Sequence, residues 1–207
     1  MGDTHMNLGN RDYWLYALHA GFWIAFAIAR LFARARAGAT SATPAAPAAS
    51  TEASGRFSRL ILAPHIVAFG LMYWGIDAAV FHRAVPEWLA GQRVLGASII
   101  LAGAALTVWA LLYFRSWRFR AKLDAGHELA TGGPFHFLRH PIYMGLNLLA
   151  IGTAVWIPTP IMLASAALML IGSDIRARAE EGILLSAFGD SYREYSARTQ
   201  RFLPGVY

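Results

Sequence analysis

Two groups of residues in this 207-residue chain have the types and spacing to do chemistry. The first lies in His127–Gly152, HELATGGPFHFLRHPIYMGLNLLAIG, which holds three of the seven histidines, a Gly-Gly-Pro break and an Arg-His-Pro step. This polar stretch runs straight into an apolar helix. Pro141 disfavours helix at His140 and suits the first position of a new one. Arg139 and His140 therefore sit at a helix mouth, where free backbone N–H groups carry partial positive charge. A mouth of that kind beside an arginine suits a carboxylate. Tyr143 and Gly145 follow within a turn, and the glycine permits close approach of a ligand or another helix. The second group is Arg176, Arg178, Glu180 and Glu181. On a helix, Arg176 and Glu180 are i and i+4 and share a face, while Arg178 and Glu181 are i and i+3 on a neighbouring one. Such a cluster either binds a zwitterionic ligand or pairs with itself.

The elements that carry these residues belong to a membrane. The chain is 57% hydrophobic and 14% charged, with a mean hydropathy of +0.41, against about 25% charged residues in soluble domains. Residues 13–32, 60–81 and 94–114 are each near the ~20 apolar residues that cross a bilayer. Two shorter segments, 142–157 and 161–175, each reach roughly 24 Å at the helical rise and are joined by Pro158-Thr159-Pro160, as in a helical hairpin. The expected fold is all-α: an integral membrane bundle of five transmembrane helices with a cytosolic C-terminal helical tail, 176–207, broken at Gly189 and Pro204. Residues 1–125 carry the first three helices, with a flexible Ala/Ser/Thr/Pro linker at 37–58. Residues 126–207 form the core that carries both chemical groups.

Charge supports this plan. The net charge is +6, from 17 arginines and one lysine against 12 acids. With the N-terminus outside, Arg11, Arg83 and Arg93 face out and the other 15 of the 18 basic residues face the cytosol, the sense of the positive-inside rule. The basic run 115–122 reads as an anchor to anionic lipid rather than to nucleic acid. The absence of cysteine excludes disulfides, thiolate metal sites and a cysteine nucleophile. His136 and His140 are four apart, but the segment leads into a proline, so no metal is expected. His19 and His65 lie within spans, where ionisable groups are functional by default unless bonded, neutral, to a neighbouring helix. Gly96, Gly103, Gly145 and Gly152 suit close helix packing. Asp174 pairs with Arg178 at i+4. The arginine-over-lysine and alanine bias points to a GC-rich bacterial source, hence an inner membrane.

The residues His127, Leu129, Thr131, Gly133, Arg139, His140, Pro141, Tyr143, Gly145, Gly152 and Thr153 follow the pattern H-x-L-x-T-x-G-x-x-x-x-x-R-H-P-x-Y-x-G-(x)6-G-T. Arg176, Glu180, Glu181, Leu184, Phe188, Gly189, Tyr192 and Tyr195 follow R-x-x-x-E-E-x-x-L-(x)3-F-G-x-x-Y-x-x-Y, and Pro204 closes it. This resembles the isoprenylcysteine carboxyl methyltransferase family, whose C-terminal core is shared with phospholipid N-methyltransferases. The resemblance covers residues 126–204 and implies S-adenosyl-L-methionine as cofactor, in a cytosolic pocket closed by the tail. It also implies a lipophilic acceptor entering from the bilayer among membrane lipids, with no nucleic acid or metal partner. The implied cofactor-binding residues are His127, Leu129, Arg139, His140, Tyr143, Gly145 and Glu181. Arg176 and Glu180 are the catalytic candidates, to orient a carboxylate or deprotonate another acceptor. Methylation of an isoprenylcysteine-like carboxylate is the leading expectation. A phospholipid, amine or small thiol acceptor is an alternative, as is NADPH-dependent sterol-type reduction, since membrane sterol reductases carry a similar Arg-His-Pro-x-Tyr core. No Gly-x-Gly-x-x-Gly occurs, so the soluble nucleotide-binding fold is not the route.

Overall fold

The computed structural model describes residues 13–40, 61–82, 90–113 and 129–203. They form α1 (Tyr13–Thr40), α2 (Ala63–His82), α3 (Ala90–Tyr113), a 3-10 turn (Gly133–His136), α4 (Pro141–Trp156), α5 (Pro160–Phe188) and α6 (Asp190–Ala197). Stretches of α1, α2, α3 and α5 are long and apolar enough to cross a membrane, and α4 is a shorter apolar helix. The architecture is the expected all-α membrane bundle. Most of the linker, the basic run 115–122, His127 and Pro204 lie outside the described residues.

One boundary differs from the expectation. α5 does not end near residue 175 but runs unbroken for 29 residues, about 44 Å at the helical rise. Arg176 to Glu181 contain no Gly or Pro, so nothing stops the helix there. It starts on Pro160 with Thr159 Oγ1 accepting from Met162 N, and stops at Gly189, whose φ of 54° is left-handed. The charged cluster is therefore carried on a continuous post instead of a separate tail.

α3 and α4 run antiparallel with backbones almost touching. A Cβ on Gly96 would lie 2.6 Å from Gly152 O, and one on Gly103 would lie 2.7 Å from Gly145 O. Each pair is reciprocal, so both helices need a missing side chain at the same place. α2 packs on α5, α4 on α5, and α1 on α3. The core between them holds Leu15, Met72, Ile76, Ile100, Leu149 and Met169, among others. Ile24, Leu31, Leu101, Leu163 and Ile171 are exposed on the outside, where lipid would cover them.

His19 bonds neighbouring helices, its Nε2 lying 2.9 Å from Thr153 Oγ1 and its Nδ1 3.3 Å from Tyr73 Oη. Trp23 Nε1 donates to the same Tyr73 oxygen at 2.6 Å. This group ties α1, α2 and α4 together within the bundle.

Candidate functional site

The Gly-Gly-Pro break is shaped by the end of α3. Gly133 has a φ of 59°, and the Tyr113 ring covers both glycines: a Cβ on Gly132 would fall 1.9 Å from its hydroxyl. Phe135 is buried in the turn that follows. The chain then extends through Leu138 and His140, and residues 198–202 lie along it as a strap. Arg139 N donates to Gln200 O at 2.7 Å, His140 N to Arg201 O at 3.3 Å and Gln200 N to Phe137 O at 3.3 Å. Tyr195 Oη donates to Phe135 O at 2.8 Å, pinning α6 to the turn.

Between loop, post and strap lies the ion cluster. Arg139 Nε donates to Glu181 Oε1 at 2.9 Å. Arg139 Nη1 donates to Ser196 O at 2.9 Å and also to Thr199 O. Arg201 grips Glu181 with two nitrogens, Nε to Oε1 at 3.0 Å and Nη2 to Oε2 at 2.7 Å, and reaches Asp174 Oδ1 at 3.0 Å. Two-point guanidinium–carboxylate contacts of this kind are strong and directional. His140 bridges the acids: Nε2 lies 3.2 Å from Glu181 Oε1 and Nδ1 3.7 Å from Glu180 Oε2. Tyr143 donates its phenol to Glu180. Arg176 Nη2 is 3.8 Å from Glu180 Oε1, and its guanidinium carbon lies 5.1 Å from the centre of the Tyr143 ring. Glu180 and Glu181 thus divide the work, the first toward Arg176 and Tyr143 and the second toward Arg139 and Arg201.

The fields follow from this geometry. Burial by itself would lower the His140 pKa, but hydrogen bonds to Glu180 and Glu181 outweigh it and raise the value above 6.5. Burial, the first cause, lifts Tyr195 to about 12 and raises Tyr192 as well, to which the charge of Glu181 adds. Tyr192 Oη is buried and has no hydrogen-bond partner among the described residues.

Beneath the charged layer, toward the membrane, is a neutral polar one. Ser173 Oγ donates to Asn147 Oδ1 at 2.7 Å, and His65 Nε2 lies 3.3 Å from Ser173 Oγ. All three side chains are buried. Asn147 Nδ2 and His65 Nδ1 have no partner among the described residues, at a cost of about 1–3 kcal/mol for each buried group left unsatisfied.

The structure brings Arg139, His140, Tyr143, Arg176, Glu180 and Glu181 into one cluster. The i,i+4 pairs hold, with Arg178 Nε 2.7 Å from Asp174 Oδ2 beside the Arg176–Glu180 contact. Arg178 does not share Glu181, whose partners come from the loop and the strap. Gly145 faces the neighbouring helix: a Cβ there would lie 1.9 Å from Thr107 Oγ1. Leu129 is half-buried ahead of the turn. Arg201, Asn147 and Ser173 escaped the sequence reading. A lone arginine in a polar tail carries no signal. Asn147 did carry one, as an amide within an apolar helix.

Comparison with known proteins bears on this cluster. The family model for phospholipid methyltransferases matches residues 91–191. A protein-S-isoprenylcysteine O-methyltransferase of Schizosaccharomyces pombe is 34% identical over 86 residues, covering 41% of this chain and 36% of the relative. A probable enzyme of the same name from Oryza sativa subsp. indica is 27% identical over 155 residues, 72% of this chain and 80% of the relative. The chain is thus similar to isoprenylcysteine methyltransferase-like membrane proteins, most of all over the half that carries the ion cluster. A methanethiol S-methyltransferase of Mycobacterium tuberculosis is 29% identical over 154 residues, covering 67% of this chain and 59% of that protein. The solved eukaryotic intramembrane Ras methyltransferase, isoprenylcysteine carboxyl methyltransferase, superposes with a TM-score of 0.56 at 18% identity, over 96% of this chain and 70% of that one. At that identity the likeness is one of fold. The region of the family model takes in Arg139, Tyr143, Arg176 and both glutamates, while the strap residue Arg201 and His65 fall outside it.

Proposed function

We propose that the protein is an integral membrane methyltransferase that uses S-adenosyl-L-methionine to methylate a lipophilic acceptor, with the carboxylate of an isoprenylcysteine-like molecule as the leading acceptor. The observation that carries this is the ion cluster between α4, α5 and the strap. There a glutamate faces two guanidiniums, and a buried phenol, Tyr192, has no hydrogen-bond partner among the described residues. That donor set fits a methionyl cofactor, which offers an ammonium, a carboxylate and ribose hydroxyls. Glu181 would take the ammonium, Tyr192 Oη a hydroxyl, and the guanidiniums of Arg139 and Arg201 the carboxylate. When bound, the cofactor supplies an activated sulfonium methyl. The chain's own task is positioning in a dry site, worth roughly 7–11 kcal/mol when geometry is well held.

Arg176 would orient the acceptor carboxylate. It is buried, faces the membrane side of the cluster, and is steadied by Glu180 and the Tyr143 ring. A carboxylate needs no base. A thiol would have to lose a proton, and Glu180 is the acid placed to accept it; the similarity to a methanethiol methyltransferase keeps that second reading in view. The side on which the site opens would be the cytosol, since that orientation puts 15 of the 18 basic residues inside.

Calorimetric titration of the purified protein with S-adenosylhomocysteine and with NADPH tests the reading. Saturable heat with the first and none with the second is expected. No heat with S-adenosylhomocysteine would sink it, and heat with NADPH would favour a reductase.

A further inference from the structure

The layer of His65, Ser173 and Asn147 is not used by the chemistry above. A serine hydroxyl has one proton, and Ser173 gives it to Asn147 Oδ1. His65 must therefore donate from Nε2 to Ser173 Oγ. This chain of bonds turns the Asn147 amide so that its oxygen faces α5 and its NH2 group points away from Ser173. That NH2 group has no partner among the described residues, although Asn147 is fully buried, with 0% of its surface exposed. Buried amide donors are bonded in nearly all native structures, and the hydrocarbon offers no water in exchange. A ligand oxygen would satisfy this donor.

Its place in the bundle says which ligand. Asn147 follows Tyr143 by one turn on α4, and Ser173 precedes Arg176 by one turn on α5. Both steps lead toward the membrane interior, about 5.4 Å per turn. An acceptor held by its head at Arg176, with its tail in the bilayer, passes this layer. We propose that Asn147 Nδ2 donates to an oxygen of the acceptor lying about one helical turn on the membrane side of the methylated group, with Ser173 and His65 as positioning residues. The inference rests on the methyl-transfer reading and narrows its substrate class to a lipophilic acid with a carbonyl or similar oxygen beside its head. His65 Nδ1 also lacks a partner, but it faces Gly172, where a Cβ would lie 2.8 Å away, so helix packing closes it off from a ligand.

The test compares two probes on the full chain in lipid nanodiscs: N-acetyl-S-farnesylcysteine, whose amide carbonyl sits beside its carboxylate, and S-farnesylthiopropionate, which lacks the amide. The wild type is expected to favour the first by about 10-fold in kcat/KM, the factor for one buried hydrogen bond. Asn147→Leu is expected to erase that preference through the acceptor KM, leaving the Kd for S-adenosylhomocysteine within about twofold. Ser173→Ala is expected to reduce the preference partly, and it decides the matter if Asn147→Leu does not fold. Equal use of both probes by the wild type, or a preference that survives in the variants, overturns this inference alone. Methylation of neither probe overturns the acceptor reading and this inference together.

Discussion

Burial would drive the proton off His140, because an imidazolium loses its hydration there. Two carboxylates within reach of its ring nitrogens reverse the outcome and raise its pKa above 6.5. A histidine whose folded value is raised contributes stability that is complete below the unfolded value and is lost as pH rises through the folded one. Strap and loop should therefore hold together best in mildly acidic solution and loosen on the alkaline side. Thermal unfolding followed across pH checks this: the wild-type midpoint should fall above neutrality, and His140→Gln should flatten that part of the profile. A profile unchanged in the variant would remove His140 as the source. At this scale, legibility depended on distance along the chain. The Arg176–Glu180 and Asp174–Arg178 contacts are one helical turn apart and follow from spacing alone. The bonds of Glu181 to Arg139 and Arg201 span 42 and 20 residues, and no local pattern encodes which distant arginine a glutamate will meet.

Among the elements, the α3–α4 pair is the most demanding. Its glycines recur at intervals of seven on both helices, Gly96 and Gly103 against Gly145 and Gly152, so the same face is bare every second turn. That packing was legible because small residues at a helical interval have few other uses in a membrane. The continuity of α5 was not, because charged residues at the end of an apolar run look like the end of a span. Gly145→Val is expected to lower stability by about 1–3 kcal/mol through overpacking against Thr107 and Gly103, read as a drop in the detergent unfolding temperature. Gly21→Ala is the control, since nothing lies within 4 Å of a Cβ there. Equal unfolding temperatures for the two would mean that α3 and α4 can move apart freely. The turn supplies a second check. Tyr195→Phe removes the bond to Phe135 O and should cost about 1 kcal/mol, with weaker S-adenosylhomocysteine binding if α6 must be pinned for the pocket to form.

For the whole molecule, orientation is the open physical statement, and composition makes it easy to measure. Because the chain has no cysteine, single introduced thiols report their own position. Pro158 lies in the α4–α5 turn and Glu194 on α6, and both are exposed. On intact cells a membrane-impermeant maleimide should label Pro158→Cys and spare Glu194→Cys until the membrane is opened. The reverse pattern would invert the topology and move the site to the other face. Fold class was readable at this scale from hydropathy and charge, because a bilayer permits few solutions. The site as a closed object was not, because its last wall is the strap, which sequence shows only as a short polar segment.

The strap has a consequence in time. Residues 198–202 follow the apolar helices among the described residues, yet they supply Arg201 and Thr199 O, one of the two carbonyls that hold Arg139. A ribosome translates them only after α1 to α5. A chain ending before Thr199 would keep both glutamates, but its Glu181 would lack Arg201 and its loop would lack a cover. The pocket is thus completed only after the helices that precede the strap, and the bilayer holds that scaffold ready for it.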